Sequence, residues 1–193
     1  MSERLRLFVA VEAPAPVRDA LTAAQAEMRR RTRSRLRWMK PDALHLTLRF
    51  LGEIDAAAAP QLSAAVERAA SGCKPFALRL ARVEAFPGGT SPRVVWVGID
   101  GDLEALEALR QAVEAELEAA GFTRERRRFV PHVTLARVPG GVRPDEASGL
   151  RAALPGAPLA APEFAVERVA LIHSTLTPEG SVYRTIARAV LTG

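Results

Sequence analysis

Two segments of this chain repeat one pattern at long range. LHLTLRFLG at 44–52 and PHVTLARVPG at 131–140 each contain the sequence His-x-Thr-x, and the two histidines, His45 and His132, lie 87 positions apart (132 minus 45). Both segments alternate apolar and polar residues, which is typical of β-strands. The repeat therefore predicts two related halves, each of which contributes one strand to a shared centre.

The length of the chain limits how these halves are arranged. A chain of 193 residues can bury one core well, but it is short for two independent domains, which usually have roughly 100 to 200 residues each. Its 48% hydrophobic and 25% charged residues are typical of a folded protein. We therefore expect residues 1–193 to form a single domain with two lobes.

Apolar periodicity predicts a mixture of strands and helices. A strand over 5–11 precedes a helix that begins at Pro16 and runs to about 33, and further helices are predicted over 55–70, over 102–120 and near 145–154. Several strands follow one another without an intervening helix, so an α+β fold with mostly antiparallel sheet is favoured over a doubly wound parallel sheet. The other predicted strands are 44–52, 76–85, 94–99, 130–138, 164–173 and 182–190, with loops at 86–93, after 138 and at 155–162, and a turn at 177–181.

The two motifs place polar side chains in pairs. Residues two apart in a strand point to the same face, so His45 and Thr47 project together, as do His132 and Thr134. If the two strands meet across a cleft, one imidazole can deprotonate an attacking nucleophile while the other protonates the departing oxygen at one phosphorus. Histidine suits both roles because its unperturbed pKa is about 6.5. The threonines can donate hydrogen bonds to the non-bridging phosphate oxygens.

A structural role for these histidines is the alternative interpretation. A lone His-x-Thr-x sequence is common by chance, and a strand histidine is more often a hydrogen-bonding group than a catalyst. This chain has two copies in strand contexts, and they use two of its three histidines. We therefore interpret His45 and His132 as catalytic.

The motifs and the sequence around them resemble the 2H phosphoesterase superfamily, which is named for its two His-x-Thr-x motifs. Within it, the chain is similar to the bacterial and archaeal RNA 2',3'-cyclic phosphodiesterases, also called 2'-5' RNA ligases. The resemblance covers nearly the whole chain. It rests on RLRLFVAVEAP at 4–14, LRWMKPDALHLTLRFLGE at 36–53, RRFVPHVTLARV at 127–138 and STLTPEGSVY at 174–183.

The resemblance implies a fold and a reaction. The fold is a bilobal α+β domain with pseudo-two-fold symmetry, in which antiparallel sheets line a central cleft and helices lie outside. His45 is implied to donate a proton to the leaving oxygen and His132 to activate water, so that hydrolysis of the cyclic phosphate leaves a 2'-phosphomonoester. A ribose hydroxyl in place of water would instead join RNA ends through a 2'-5' linkage. No P-loop or adenylated-lysine motif is present, which argues against an ATP-dependent ligase, and the single Cys73 argues against a structural metal, so we expect no cofactor and no metal.

Three further residues are candidate substrate contacts. Arg49 is in phase with His45 on its strand, whereas Arg137 is out of phase with His132 unless the strand bulges, although the family usually has that arginine. A surface salt bridge is the alternative for each arginine. Phe8 is a candidate for stacking on a base, with core packing as its alternative.

The third histidine and the two tryptophans are assigned other roles. His173 lacks the x-Thr pattern, because Ser174 and Thr175 follow it directly, and we interpret it as a residue of the cleft edge or the surface. Trp38 and Trp96 are predicted to be buried aromatic anchors rather than groups that stack on RNA.

Charge and cysteine content bear on partners and location. The net charge of +5 and sequence pI of about 10.5 favour an anionic partner. Arginine is abundant and lysine is nearly absent, and genome composition explains this bias as well as phosphate binding does. The family resemblance implies more specific partners, namely RNA with 2',3'-cyclic phosphate ends, including tRNA fragments, or small cyclic nucleotides. The single Cys73, the charged start of the chain and the lack of an apolar run of about 18 residues predict a cytoplasmic protein that does not bind membranes. We expect a monomer, because nothing in the sequence suggests a larger assembly.

Other functions stay open at this stage. A zinc site could use His45, His132 and His173, although the motifs offer threonines where carboxylates usually support zinc ligands. A non-catalytic RNA-binding module would need only the basic charge and a cleft. Within the superfamily, an ADP-ribose cyclic phosphate is an alternative substrate.

Overall fold

The computed structural model of the chain describes residues 3–32, 35–87, 92–138, 144–154, 159, 163–178 and 180–193. The predicted loops at 86–93, after 138 and at 155–162 lie largely outside these residues. Short 3₁₀ turns occupy Pro41–Ala43 and Ala56–Ala58. The strands are β1 (Arg4–Glu12), β2 (Arg37–Trp38), β3 (His45–Asp55), β4 (Phe76–Phe86), β5 (Val94–Gly101), β6 (His132–Arg137), β7 (Phe164–Val166), β8 (Arg168–Thr177) and β9 (Gly180–Val190), and the helices are α1 (Ala15–Arg31), α2 (Ala59–Ser71), α3 (Leu103–Ala119) and α4 (Pro144–Ala153).

The helices begin close to the residues that the sequence indicates. The Asp102 carboxylate accepts a hydrogen bond from the Ala105 backbone N–H at 2.9 Å and so caps α3. Asp55, the first residue of the helix predicted over 55–70, instead caps the intervening 3₁₀ turn by accepting a hydrogen bond from Ala57 N–H at 3.0 Å. The first turn of α1 contains Pro16, whose fixed φ and missing N–H suit that position.

The prediction of one strand over 164–173 is wrong. The chain forms β7, which pairs with β4, and then β8, which pairs with β1, so it changes neighbours at Glu167. Apolar residues flank the charged pair Glu167 and Arg168 on both sides, and this is why the sequence does not reveal the break. The short strand β2 is also absent from the sequence prediction.

The strands of the described residues form one antiparallel sheet with pseudo-two-fold symmetry. Its order is β7-β4-β5-β6-β3-β1-β8-β9, with β2 added beside β6. An axis between β6 and β3 relates each strand on one side to a strand on the other. The first half is the succession β1-α1-β3-α2-β4, and the second half is β5-α3-β6-α4 followed by β8. The last strand of each half pairs with the first strand of the other. The predicted duplicated, bilobal α+β fold is confirmed.

The main core lies between the helices and one face of this sheet. It contains the apolar residues of both motifs, Leu46, Leu48, Val133 and Leu135, all at most 5% exposed. A small second cluster, with Phe8 and Ile172 at its centre, packs on the other face of β1 and β8. None of the helices in the described ranges is long and apolar enough to cross a membrane.

Candidate active site

The two His-x-Thr-x strands meet at the symmetry axis. β3 and β6 are joined there by the antiparallel pairing of Leu46 with Val133, the residues that follow the two motif histidines. These two side chains are buried in the core, so alternation directs His45 and Thr47, and likewise His132 and Thr134, to the opposite face. The shared centre predicted from the repeat is therefore present.

One cavity of about 250 Å³ contains all four of these polar side chains. The duplication of the fold thus gives a duplicated set of functional groups, one imidazole and one hydroxyl from each half. The residues that line the cavity are Arg6, Leu7, Phe8, Met39, Ala43, His45, Thr47, Phe50, Val94, His132, Thr134, Arg137, Ser174, Ser181 and Tyr183.

A bulge at the same place in each half changes which residues reach the cavity. In the first half the pairing passes from Ala10 with Thr47 to Val9 with Arg49, which leaves Leu48 as the extra residue. In the second half it passes from Trp96 with Thr134 to Val95 with Ala136, which leaves Leu135 as the extra residue. A bulge reverses the alternation beyond it. Phe50 and Arg137, which occupy equivalent positions in the two halves, consequently line the cavity.

Arg49 lies on the helix side of the sheet, contrary to the expectation from simple alternation. Its Nε is 3.2 Å from a carboxylate oxygen of Glu114 on α3, its Nη1 is 3.4 Å from Glu125, and its side chain is 11% exposed. The bulge at Leu48 accounts for this placement. The alternative of an ion pair therefore describes Arg49, although the pair is buried rather than at the surface.

His45 sits in an aromatic enclosure. Its ring centroid is 4.7 Å from that of Phe8 and 5.0 Å from that of Tyr183, which meets it edge-on. Desolvation by these surroundings lowers the pKa of His45 from 6.5 to about 4, and the positive potential of His132 and Arg137 acts in the same direction. A hydrogen bond to the Ala43 backbone acts against this shift.

His132 is held in one tautomer by the segment that leads into its strand. Its Nδ1 lies 2.8 Å from the backbone carbonyl oxygen of Val130, and a carbonyl can only accept, so Nδ1 carries the proton. The neutral ring therefore has its free lone pair on Nε2, as a general base requires. Trp96 packs edge-on against this ring with centroids 5.4 Å apart.

Several residues of the cavity were not found from the sequence. Tyr183, Ser181 and Ser174 come from β8 and β9, at least 39 positions beyond the second motif (174 minus 135), and no local spacing connects them to either motif. The only available signal was the family-like run STLTPEGSVY. His173 stands beside Ser174 on β8 but does not line the cavity.

The zinc alternative needs three ligands that converge on one point. Across the described ranges, no group of three or more His, Cys, Asp or Glu side chains is arranged to hold a metal ion. His45 and His132 share the cavity, whereas His173 faces away from it in the sheet. The three histidines therefore do not form the cluster that this alternative predicts.

This fold and this site define a class of protein. A duplicated antiparallel sheet that presents two His-x-Thr pairs to one cavity is the architecture of the 2H phosphoesterases. The family model for the 2'-5' RNA ligase superfamily matches residues 14–177, and the chain belongs to that family.

Individual relatives agree with this membership. An RNA 2',3'-cyclic phosphodiesterase of Thermus thermophilus is 37% identical over 199 aligned positions, which cover 98% of this chain and 91% of that protein. A crystal structure of a Thermus thermophilus protein has a TM-score of 0.77 at 35% identity, covering 98% of this chain and 99% of that one. E. coli LigT in complex with 3'-AMP has a TM-score of 0.73 at 26% identity, covering 99% and 100%.

Proposed function

We propose that this protein hydrolyses the 2',3'-cyclic phosphate at RNA ends to a 2'-phosphomonoester by two-histidine acid–base catalysis. The observation that carries the proposal is the single cavity into which both His-x-Thr pairs point from symmetry-related strands. The RNA 2',3'-cyclic phosphodiesterases among its relatives support the choice of substrate.

His132 is the general base in this scheme. The Nδ1 hydrogen bond to Val130 leaves Nε2 free to take a proton from water, whose oxygen then attacks the phosphorus. The bond from phosphorus to the ribose O3' breaks, and that oxygen takes a proton from His45. The product is a 2'-phosphate with a free 3'-hydroxyl, and proton exchange with solvent restores both histidines.

His45 needs the substrate in order to act as the acid. Its pKa of about 4 keeps it neutral in the empty cavity at neutral pH. The cyclic phosphate is an anion, and an anion next to an imidazole stabilises its protonated form. Binding of the substrate therefore favours protonation of His45. As a result, His45 can act as the acid only when phosphate occupies the cavity.

Other groups of the cavity hold the phosphate. The hydroxyls of Thr47 and Thr134 donate hydrogen bonds to its non-bridging oxygens, and the guanidinium of Arg137 balances the charge that develops there. Phe8 acts through His45, which it buries, rather than by stacking on a base, because it is only 2% exposed. Arg49 has no part in substrate binding in this proposal.

The same groups also serve 2'-5' ligation. A ribose hydroxyl that replaces the water would be deprotonated by the same base and would yield a 2'-5' linkage. Hydrolysis is the principal reaction in our proposal because water is always abundant. The site is complete within one chain, which supports action as a monomer on RNA fragments, including those of tRNA, and the single Cys73 fits the cytoplasm.

The direct test uses a short RNA that ends in a 2',3'-cyclic phosphate, in buffer containing EDTA. We expect wild type to release a 2'-phosphate, and His45→Ala and His132→Ala each to lower the rate roughly 10²- to 10⁴-fold. Folded wild-type protein that binds this RNA without turnover would instead identify a binding module. Loss of wild-type turnover in EDTA would remove metal independence from the proposal.

A further inference from the structure

A second cavity, of about 290 Å³, adjoins the catalytic one. The two share Met39, Ala43, Arg137 and Ser181, so they form one continuous depression. The second cavity is otherwise lined by residues that the proposed chemistry does not use, namely Arg37, Trp38, Lys40, Leu176, Thr177 and Gly180.

Three exposed cations stand in this second cavity. Arg37, Lys40 and Arg137 all line it, and Arg37 and Arg137 are direct cross-strand partners on β2 and β6. Like charges placed opposite each other destabilise a strand pair. Within the described part of the chain, none of the three forms an ion pair with a carboxylate. Such uncompensated charge attracts an anion.

The wall that carries these cations is fixed by a buried amide. Gln25 on α1 is 3% exposed, and its side-chain N–H groups donate to the carbonyl oxygens of Met39 and Leu135, each at 2.9 Å. Met39 N–H in turn donates to Leu135 oxygen at 2.9 Å. The segment with Arg37 and Lys40 is therefore held against β6 before any ligand binds, which lowers the cost of ordering it.

We propose that this second cavity binds the phosphodiester one nucleotide upstream of the cyclic phosphate, and that the protein thereby prefers RNA ends to cyclic mononucleotides. The inference rests on the proposed function. An RNA that ends in a cyclic phosphate continues only in the 5' direction, so a polyanion site continuous with the catalytic cavity receives the upstream backbone.

The position of the second cavity agrees with the direction of the reaction. The entering and leaving oxygens of a phosphoryl transfer lie roughly in line on opposite sides of phosphorus. The leaving O3', and with it the ribose of the substrate, belongs on the side of His45. The second cavity shares with that side Ala43, whose backbone is hydrogen-bonded to His45, whereas an apolar groove with Phe86 and Trp96 adjoins His132.

The test compares a trinucleotide that ends in a 2',3'-cyclic phosphate with adenosine 2',3'-cyclic phosphate. The variant is Arg37→Gln with Lys40→Gln, which removes two charges and leaves Arg137 in place. We expect the variant to lose roughly tenfold in kcat/KM for the trinucleotide and to keep its rate on the mononucleotide. For each phosphate that the variant no longer neutralises, the slope of log kcat/KM against log salt becomes shallower by about 0.7.

A matched control carries the same change of net charge elsewhere. Arg68→Gln with Arg79→Gln alters α2 and β4, where both arginines are exposed. This control should keep the preference for the trinucleotide and its salt dependence. A variant that loses activity equally on both substrates, or that keeps the wild-type preference, overturns the inference. So does wild type without any preference.

Binding separates this inference from the proposed function. The affinity of a fluorescent trinucleotide that ends in a 2'-phosphate is measured by anisotropy for wild type and the variant. Wild type that binds this probe through Arg37 and Lys40 but turns over neither substrate refutes the catalytic proposal alone. Normal turnover, with equal affinity of the variant and wild type for the probe, refutes the upstream subsite alone.

Discussion

The ring of Phe8 lies 4.7 Å from the imidazole of His45 and, together with Tyr183, shields it from water. Phe8 is itself only 2% exposed, so the enclosure is closed to solvent on that side. The depressed pKa of His45 follows from this contact because burial disfavours the charged imidazolium. The first motif histidine is thus tuned by a residue 37 positions before it (45 minus 8).

Replacing Phe8 by leucine should raise the pKa of His45. The smaller side chain admits water beside the imidazole, and the pKa then moves upward from about 4 toward 6.5. An NMR titration of the histidine ring signals measures this change. Trp96→Leu, which removes an aromatic contact to His132 instead, is the control and should leave the titration of His45 as in wild type. An unchanged value in Phe8→Leu would contradict the role of desolvation.

The wild-type protein should become less stable as the pH is lowered, because of the low pKa of His45. The pKa of His45 is lower in the folded protein, about 4, than its ordinary 6.5. Between these values the unfolded chain binds the extra proton, so the free energy of unfolding decreases as pH falls from about 6.5 to 4, by at most on the order of 3 kcal/mol. Urea denaturation of wild type and His45→Gln at pH 7.5 and pH 4.5 measures this contribution. On going from pH 7.5 to pH 4.5, the difference in free energy of unfolding between the two proteins should shift in favour of His45→Gln. A difference that is the same at both pH values would contradict this contribution of His45.

The two threonines should matter for kcat. Thr47→Val and Thr134→Val keep the shape of the side chain but remove a donor to the phosphate, and loss of one such donor lowers kcat roughly 10²- to 10³-fold. Thr→Ser at either position should restore most of the rate, because the hydroxyl returns. Steady-state kinetics on the cyclic phosphate RNA measures both effects. A valine variant with wild-type kcat would exclude that hydroxyl from the mechanism.

The centre of the fold could be predicted from the sequence because it is locally encoded. Alternation around His45 and His132 specifies two strands with a polar and an apolar face, and the repeat specifies their common role. The break at Glu167 could not be predicted in this way, since apolar residues flank it on both sides and the change of neighbour from β4 to β1 depends on long-range pairing. Tyr183 reaches the cavity only through the pairing of β9 with β8.

The bulges explain why simple alternation assigns Arg49 and Arg137 to the wrong faces of the sheet. Period-two alternation puts Arg49 with His45 and separates Arg137 from His132, and one extra residue in each strand reverses both relationships. Bulges depend on how two strands pair, which one strand's sequence does not specify. Arg137 could share a face with His132 only if its strand bulged, and the strand does bulge at Leu135.

Sulfate binding should report the coupling between His45 and the phosphate site. Sulfate keeps its charge above pH 4, so a change in its affinity with pH reflects the protein. If an anion binds with His45 protonated, the affinity falls by up to about tenfold per pH unit above the pKa of about 4. Calorimetric titrations between pH 4.5 and 7 measure this slope, and His45→Gln should flatten it. The same slope in both proteins would mean that the anion does not protonate His45.

Arg49 and Arg137 should separate stability from activity. Arg49→Met leaves Glu114, whose side chain is 1% exposed, without its closest cation, and breaking a buried pair in this way costs about 3 to 5 kcal/mol. Its activity per folded molecule should stay near wild type, because Arg49 lies on the helix side of the sheet.

Arg137→Met should do the opposite, since an exposed arginine at the cavity contributes little to stability but balances the phosphate charge. Denaturant melts and kcat/KM on the same preparations test both variants. A stable Arg49→Met protein with impaired turnover would return Arg49 to the substrate site, and an unimpaired Arg137→Met protein would remove Arg137 from it.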